Sequence, residues 1–249
     1  AWAWKKGRIK KMRKYIDHLF VILPFEKAFF EEEDMHHVHY EGHPLMDVVK
    51  ASNSLKRPDS GSQIALLPGS RKQEVGKILP IMCEVARKRP QQTFTIAAVD
   101  HIEANFYEGI INQSGASNVD VSFEGVSMIL AKSKAAIVTS GTATLETALH
   151  GIPQLVVYLS SRISYEIARR VIQVPYISLV NLILNKEAVP ELIQSDCNAK
   201  FIDKLLSKIE NDKNYRKELE GNYDLLRKKL GQEGVSVRIA RKMIALLKN

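Results

Sequence analysis

Between Ala135 and Glu146 the chain reads Ala-Ala-Ile-Val-Thr-Ser-Gly-Thr-Ala-Thr-Leu-Glu, an apolar run that passes into small hydroxyl residues and then into a helical pattern. A helix starting there presents unpaired backbone N–H groups and the positive end of its dipole, with no bulky side chain to keep a phosphate away. Ser140, Gly141, Thr142, Ala143 and Thr144 therefore form a candidate anion seat. Close packing of a strand–helix turn favours small residues as well, so this segment alone supports both readings. Glu146 is expected in the first turn, and a capping box would need a side-chain oxygen that Ala143 lacks, which leaves the carboxylate available for other work. A carboxylate beside a phosphate seat suits the paired hydroxyls of a sugar, and the two together suggest a nucleotide or nucleotide-sugar ligand.

A second seat lies in Leu67-Pro68-Gly69-Ser70-Arg71-Lys72-Gln73-Glu74-Val75, after the apolar run Gln63 to Leu67. Ser70 and Gln73 have capping-box spacing, which accounts for a helix start without any ligand. It does not account for Arg71 and Lys72, because each cation in a first helical turn opposes the dipole by about 0.3–1 kcal/mol unless an anion sits nearby. Arg71 is the better candidate, since its fork can hold a diphosphate through two parallel bonds.

The elements that must position these turns follow an alternating pattern. Strand-like runs at His18 to Leu23, Val38 to Glu41, Gln63 to Leu67, Thr93 to Val99, Val119 to Phe123, Ala135 to Thr139 and Gln154 to Tyr158 are separated by helical periodicity, the mark of an α/β fold with a parallel sheet. Two phosphate-accepting turns at the ends of parallel strands can face one crevice. Lys50 to Ser62, with Ser, Asn, Pro and Gly, reads as a linker, and after Pro190 the pattern is expected to be purely helical. Leu205, Leu206 and Ile209, then Val235, Ile239, Met243 and Leu247, mark two amphipathic faces.

At 249 residues, 45% of them hydrophobic, the chain can bury a full core in one large or two modest domains. Cys83 and Cys197 are far apart, so a reducing, intracellular compartment is the expectation. No apolar run approaches the roughly 18 residues of a membrane span, and no signal peptide is read at the start. The chain opens on Ala1 and runs into Trp2-Ala3-Trp4, as a fragment or processed form would.

Net charge is +8, and Lys5, Lys6, Arg8, Lys10, Lys11, Arg13 and Lys14 all precede the first acid, Asp17. Ile9, Met12 and Ile16 keep helical spacing within that segment, so one basic amphipathic helix explains the charge and offers peripheral contact with an anionic bilayer. A solvated helix face explains it equally. Nucleic acid is not expected as a partner, because no basic stripe continues beyond this segment. His36, His37 and His39 invite a metal, yet adjacent His36 and His37 would point apart on a strand, and no metal is expected. His43 reads as a turn residue in Gly-His-Pro and Cys83 as a packed thiol, while Tyr158, Arg162, Tyr165 and Arg169 fit either a ligand site or a helix surface.

The short motifs fall in an order that resembles one family. Leu67-Pro68-Gly69-Ser70-Arg71 with Glu74, Ser140-Gly141-Thr142-Ala143-Thr144-Leu145-Glu146, Pro175-Tyr176-Ile177-Ser178-Leu179 with Asn181, and Pro190-Glu191-Leu192 are similar to the motif set of the lipid-A-disaccharide synthase family. Trp2-Ala3-Trp4, Leu23-Pro24-Phe25-Glu26 and Gly42-His43-Pro44-Leu45 with Asp47 match it in the same order. The likeness spans nearly all of this chain and about the C-terminal two thirds of a family member.

The resemblance implies an inverting glycosyltransferase of the two-domain GT-B type, with no metal or other cofactor. Its donor would be UDP-2,3-diacylglucosamine, its acceptor 2,3-diacylglucosamine 1-phosphate, and its place the cytoplasmic face of the Gram-negative inner membrane, with a possible homodimer. Residues 1–48 would be the tail of the N-terminal acceptor domain, 49–60 a linker, 61–200 the Rossmann-like UDP-sugar domain, and 201–249 helices packing back on the N-terminal domain. Gly69, Ser70, Ser140, Gly141, Thr142, Ala143 and Thr144 would hold the nucleotide-sugar, Glu146 its ribose, and Arg71 and Asn181 would be catalytic, with Asn181 orienting donor sugar or phosphate. Trp2, Trp4, Lys5, Lys6, Arg8, Lys10 and Lys11 would touch the membrane. Val180 stands where the family commonly has proline, so the local turn can differ. Another UDP-sugar transferase, a UDP-sugar epimerase, or a non-catalytic nucleotide- or membrane-binding module would carry similar seats.

Overall fold

A computed structural model of the chain describes residues 7–53, 62–160 and 175–248. Its larger sheet has six parallel strands: β3 (Gln63–Leu67), β4 (Thr93–Ala97), β5 (Val119–Ser122), β6 (Ser133–Thr139), β7 (Gln154–Tyr158) and β8 (Glu191–Ile193). They lie in the order β5-β4-β3-β6-β7-β8. Because the sheet is covered on both sides, its central strands are buried runs, and their alternate residues feed different cores. Ile64, Leu66, Ile96 and Ile137 pack into one cluster, whereas Ala65, Leu67, Ala97 and Val138 pack with Ile129 and Leu130 in another.

Helices α4 (Lys72–Arg87), α5 (Ala104–Ser114), α6 (Val126–Ala131) and α7 (Thr142–Leu149) connect the strands, and α8 (Leu179–Leu184) precedes β8. The strand β8 corrects the expectation of purely helical structure after Pro190. Three residues are too few to display alternation, and their state is decided by pairing with Val156, Val157 and Tyr158 of β7.

A smaller parallel pair, β1 (Leu19–Val21) with β2 (Val38–Tyr40), is flanked by α1 (Gly7–Tyr15) and α2 (Pro24–Glu32). Ile9 on α1 is buried with Val21, Phe30, Met35 and Val38, and Met12 packs against the same cluster. The apolar face of the expected amphipathic helix is therefore turned inward at Ile9 and Met12. Arg8, Lys10 and Lys11 remain exposed on the outer side, while Trp2, Trp4, Lys5 and Lys6 lie outside the described residues.

Helix α3 (Leu45–Asn53) continues into the stretch read as linker, whose remainder at 54–61 lies outside the described residues. Of the C-terminal helices, α9 (Ala199–Asn211) and α10 (Lys213–Leu230) pack on the large sheet and its flanking helices, and the end of α10 also reaches the earlier segment, where its Lys229 and Leu230 carbonyls accept the Tyr40 hydroxyl and the Leu230 carbonyl accepts the His43 N–H. Arg89 after α4 pins α9 through Asp203, Ser207 and Glu210. Helix α11 (Val235–Leu247) docks on the earlier segment as well. There Asp47 accepts backbone N–H bonds from Gly234, Val235 and Ser236, and Lys242 pairs with Glu41 at 2.6 Å. His43, 3% exposed, accepts the Leu45 N–H at Nδ1, and burial pulls its pKa down, consistent with a neutral turn residue. The periodic face expected on α11 is only partly used: Val235 is buried, but Met243 and Leu247 are exposed.

A candidate nucleotide-binding cleft

Strands β3 and β6 are neighbours, yet the chain leaves β3 toward β4 on one side and β6 toward β7 on the other. Such a reversal keeps the crossovers apart and opens a crevice at the carboxyl ends of the two strands. Both predicted turns fall there. A cavity of about 250 Å³ is lined by Gly69, Ser70 and Glu74 from one turn and by Ser140, Gly141, Thr142 and Ala143 from the other. Leu67, Ala97, Val99 and Val126 supply an apolar wall suited to a planar ring. An adjoining cavity shares Glu74, Thr139 and Ser140 and extends to Lys77 and Tyr158. Arg162, Tyr165 and Arg169 lie outside the described residues.

On the β6 side, Gly141 is the N-cap of α7 and has no side chain to bond the first turn. By helix geometry the N–H groups of Thr142 and Ala143 have no intrahelical acceptor, and both residues line the cavity. Thr139, at the end of β6, is 6% exposed and its hydroxyl has no hydrogen-bond partner among the described residues. A buried hydroxyl left unpaired costs about 1–3 kcal/mol, so this orphan on the wall of both cavities marks a place where a polar ligand atom fits. Sequence reasoning had assigned Thr139 only to the strand.

Two hydroxyls of the seat are otherwise engaged. Thr144 is fully buried and donates to the Gly141 carbonyl at 2.8 Å, so its side chain does not reach the cleft. Ser140 donates to the Ile177 carbonyl at 2.9 Å and keeps only its lone pairs for a ligand.

On the β3 side the helix begins one residue later than Ser70–Gln73 spacing implies. Arg71 is the N-cap of α4, and Ser70 lies outside it, its carbonyl 2.7 Å from His101 Nε2. The two cations have partners: Arg71 donates to Glu74 Oε1 at 2.8 Å, and Lys72 lies 4.9 Å from the centre of the Phe106 ring. Their presence thus no longer demands an anion. The Arg71 side chain is nonetheless 80% exposed at the rim, where Glu74 holds it by an exchangeable surface pair.

Glu146 sits in the second turn of α7, because the helix starts at Thr142. It does not itself line the cavity, but it follows the lining residues Thr142 and Ala143 by four and three positions, and helical side chains lean back toward the N-terminus. Half-buried, it accepts a bond from Ser127 Oγ at 2.9 Å. Burial raises its pKa, with the Ser127 bond opposing.

Asn181 does not reach the cleft. Its side chain is fully buried; Nδ2 donates to the Val189 carbonyl and to Glu191 Oε1, each at 2.8 Å, and Oδ1 accepts from the Ala188 and Val189 amides. The expected contact with donor sugar or phosphate is corrected accordingly: every bonding position of the amide is filled from within the chain. Glu191 completes this clamp by accepting the Ile177 and Ser178 N–H groups, and Ile177 in turn receives the Ser140 hydroxyl. Among the described residues, no group of three His, Cys, Asp or Glu is arranged to hold a metal.

A sequence model of the family described as lipid-A-disaccharide synthetase matches residues 1–243. The lipid-A-disaccharide synthase of Syntrophus aciditrophicus (strain SB) is 35% identical over 259 residues, covering 100% of this chain and 67% of that protein. That of Sulfurihydrogenibium sp. (strain YO3AOP1) is 36% identical, covering 99% of the chain and 69% of the relative. The chain thus spans about two thirds of the length of these curated relatives. A crystal structure of UDP-GlcNAc 2-epimerase from Neisseria meningitidis, bound to UDP-GlcNAc, superposes with a TM-score of 0.60 at 17% identity, covering 92% of this chain and 61% of that one. At that identity the likeness is one of fold, shared with GT-B glycosyltransferases and epimerases. Six parallel strands with a crevice at their switch point, the ordered motifs around it, and the match along the chain agree, and the chain belongs to the lipid-A-disaccharide synthase family.

Proposed function

We propose that the cleft between the carboxyl ends of β3 and β6 holds the UDP portion of a sugar donor. The whole protein would transfer 2,3-diacylglucosamine from UDP to 2,3-diacylglucosamine 1-phosphate, releasing UDP. The observation that carries this is the shared cavity, in which the Gly69–Ser70 turn and the α7 N-terminus face each other beside the Thr139 hydroxyl, which has no partner among the described residues. The diphosphate sits at the Thr142 and Ala143 N–H groups, with Ser140 and Gly141 shaping the seat and Thr144 holding the turn. The base lies against Ala97, Val99 and Val126, and Glu146 takes the ribose hydroxyls.

Arg71 exchanges Glu74 for the diphosphate. It lowers the barrier to the extent that this contact strengthens as charge grows on the departing UDP. Asn181 acts at a distance by holding the 177–178 and 188–191 segments around Ser140.

In this assignment residues 1–48 belong to an acceptor-binding unit, 49–60 link it to the donor unit of 61–200, and within 201–249 the helix α11 rejoins the earlier part. Attachment to the inner face of the Gram-negative inner membrane is peripheral and electrostatic, through the basic outer side of α1, and a homodimer is the expected assembly. None of the helices among the described residues is long and apolar enough to cross a membrane.

Titration calorimetry with UDP, run beside a transfer assay with both lipid substrates, tests the assignment. The 249-residue chain is expected to bind UDP and to give no disaccharide. A flat calorimetric trace would defeat the donor-site reading, and robust transfer would defeat the restriction of this span to donor binding.

A further inference from the structure

Glu146 and His150 are four residues apart, which on a helix places them on one face of the α7 end. Ser127 from α6 enters between them. Its Oγ lies 2.9 Å from Glu146 Oε1 and 3.1 Å from His150 Nε2, and His150 is 7% exposed. A serine hydroxyl has one hydrogen and two lone pairs. Donating that hydrogen to the carboxylate leaves a lone pair for an imidazole N–H, so the trio is satisfied as His150 Nε2–H to Ser127 Oγ, then Ser127 O–H to Glu146 Oε1. The tautomer is assigned from this network. One carboxylate oxygen is thereby anchored, and Oε2 carries no hydrogen bond from this trio. Neighbouring Val126 lines the cavity, as do Thr142 and Ala143 one turn before Glu146. A half-buried carboxylate with one oxygen tied to a neighbouring hydroxyl has restricted freedom for its other oxygen, and fixing a group before its ligand arrives spares the ordering cost on binding.

We propose that Ser127 and His150 are positioning residues that aim the Glu146 carboxylate at the hydroxyls of a bound nucleotide's ribose. The proposal rests on the assignment of the cleft to UDP and adds the two residues that give Glu146 its selectivity for a ribose with both hydroxyls. A contact that merely joined α6 to α7 would affect all ligands alike, whereas positioning of Glu146 affects only those that carry the hydroxyls.

Calorimetry with UDP and with 2′,3′-dideoxy-UDP separates the two. The unaltered chain is expected to prefer UDP by about tenfold or more, as for hydrogen bonds to a charged group. Glu146→Gln should remove most of that preference. Ser127→Ala should reduce it several-fold with affinity for the dideoxy analogue unchanged, and Ser127→Thr, which keeps the hydroxyl, should retain it. A second route avoids reliance on one variant: His150→Gln, which keeps an N–H donor, should preserve the preference, and His150→Leu should lose it. Thermal melts confirm that each variant is folded. If Glu146→Gln abolishes the preference while Ser127→Ala and His150→Leu leave it intact, or shift both ligands equally, the relay is overturned and the ribose contact stands. If the unaltered chain binds neither ligand, or shows no preference, the assignment of Glu146 itself falls and the proposal falls with it.

Discussion

A Cβ added to Gly69 would stand 2.9 Å from Glu74 Oε2, and Gly69 has φ +108°, a region side-chain-bearing residues rarely adopt. The same Glu74 holds Arg71 at 2.8 Å. The shape of the turn and the placement of the cation are therefore one arrangement, in which the glutamate folds back over a residue that must be glycine. Gly69→Ala is expected to cost about 1–2 kcal/mol of stability from the backbone alone. It should also weaken UDP binding, because the side chain displaces Glu74; denaturant titration and calorimetry on one preparation check both.

Arg71→Ala should weaken UDP binding roughly tenfold to a hundredfold, the range of a charge-assisted bond, with little change in melting temperature, since the side chain is 80% exposed. Glu74→Gln releases the guanidinium and removes a carboxylate from the cavity wall, so tighter UDP binding is expected. Unchanged affinity in both variants would remove Arg71 from the site.

Replacing Asn181 by Ala should act on stability. Two buried N–H groups, of Ala188 and Val189, would lose their acceptor, and Glu191 would lose a donor. A loss of about 2–4 kcal/mol follows. Under conditions where the variant is folded, UDP affinity should fall by less than it does for Arg71→Ala; the reverse ranking would place Asn181 at the ligand.

Asp47 gives a pH signature. The amides of Ser236, Gly234 and Val235 bond its carboxylate and hold its pKa at about 2, below the ordinary 3.8. A depressed folded-state pKa means stability that is complete above the unfolded value and is lost as pH falls from near 4 through about 2. Asp47→Asn should be less stable at neutral pH and should lose less on acidification over that window. Parallel curves for the two proteins would show that α11 does not depend on this cap.

Binding to anionic vesicles tests the basic side of α1. Each Lys or Arg near such a surface contributes about 1 kcal/mol, and salt screens it. Glutamate at Lys10 and Lys11 should therefore weaken co-sedimentation strongly at low salt, and high salt should abolish binding of the unaltered chain. Because Ile9 is buried, Ile9→Ala is expected to destabilise the fold.

The sheet was largely written in local pattern. Gln63 to Leu67 and Gln154 to Tyr158 match β3 and β7 in full, because long apolar runs between helical periods have few other uses. The strand β8 was not, since three residues carry no period. Ser70 is not the cap that its spacing to Gln73 suggests, because several residues in Gly69 to Lys72 could start a helix and the backbone is still extended at Arg71. Asn181 was read as a ligand contact from motif likeness alone. Its burial depends on segments 188–191 and 177–178 closing around it, which no spacing reveals.

What the amino-acid order determined by itself is the set of parts: a parallel sheet, two small-residue turns at strand ends, a glutamate near a helix start, and family membership through ordered motifs. Those are local properties of spacing and side-chain size. Only the tertiary structure decided that β3 and β6 are adjacent, so that turns some 70 residues apart share one cavity with Thr139 on its wall, and that Ser127 bonds both Glu146 and His150. Adjacency of strands and the pairing of buried polar groups arise from long-range packing, in which each contact depends on every crossover between. A hydroxyl left without a partner becomes visible only when all its neighbours are in place.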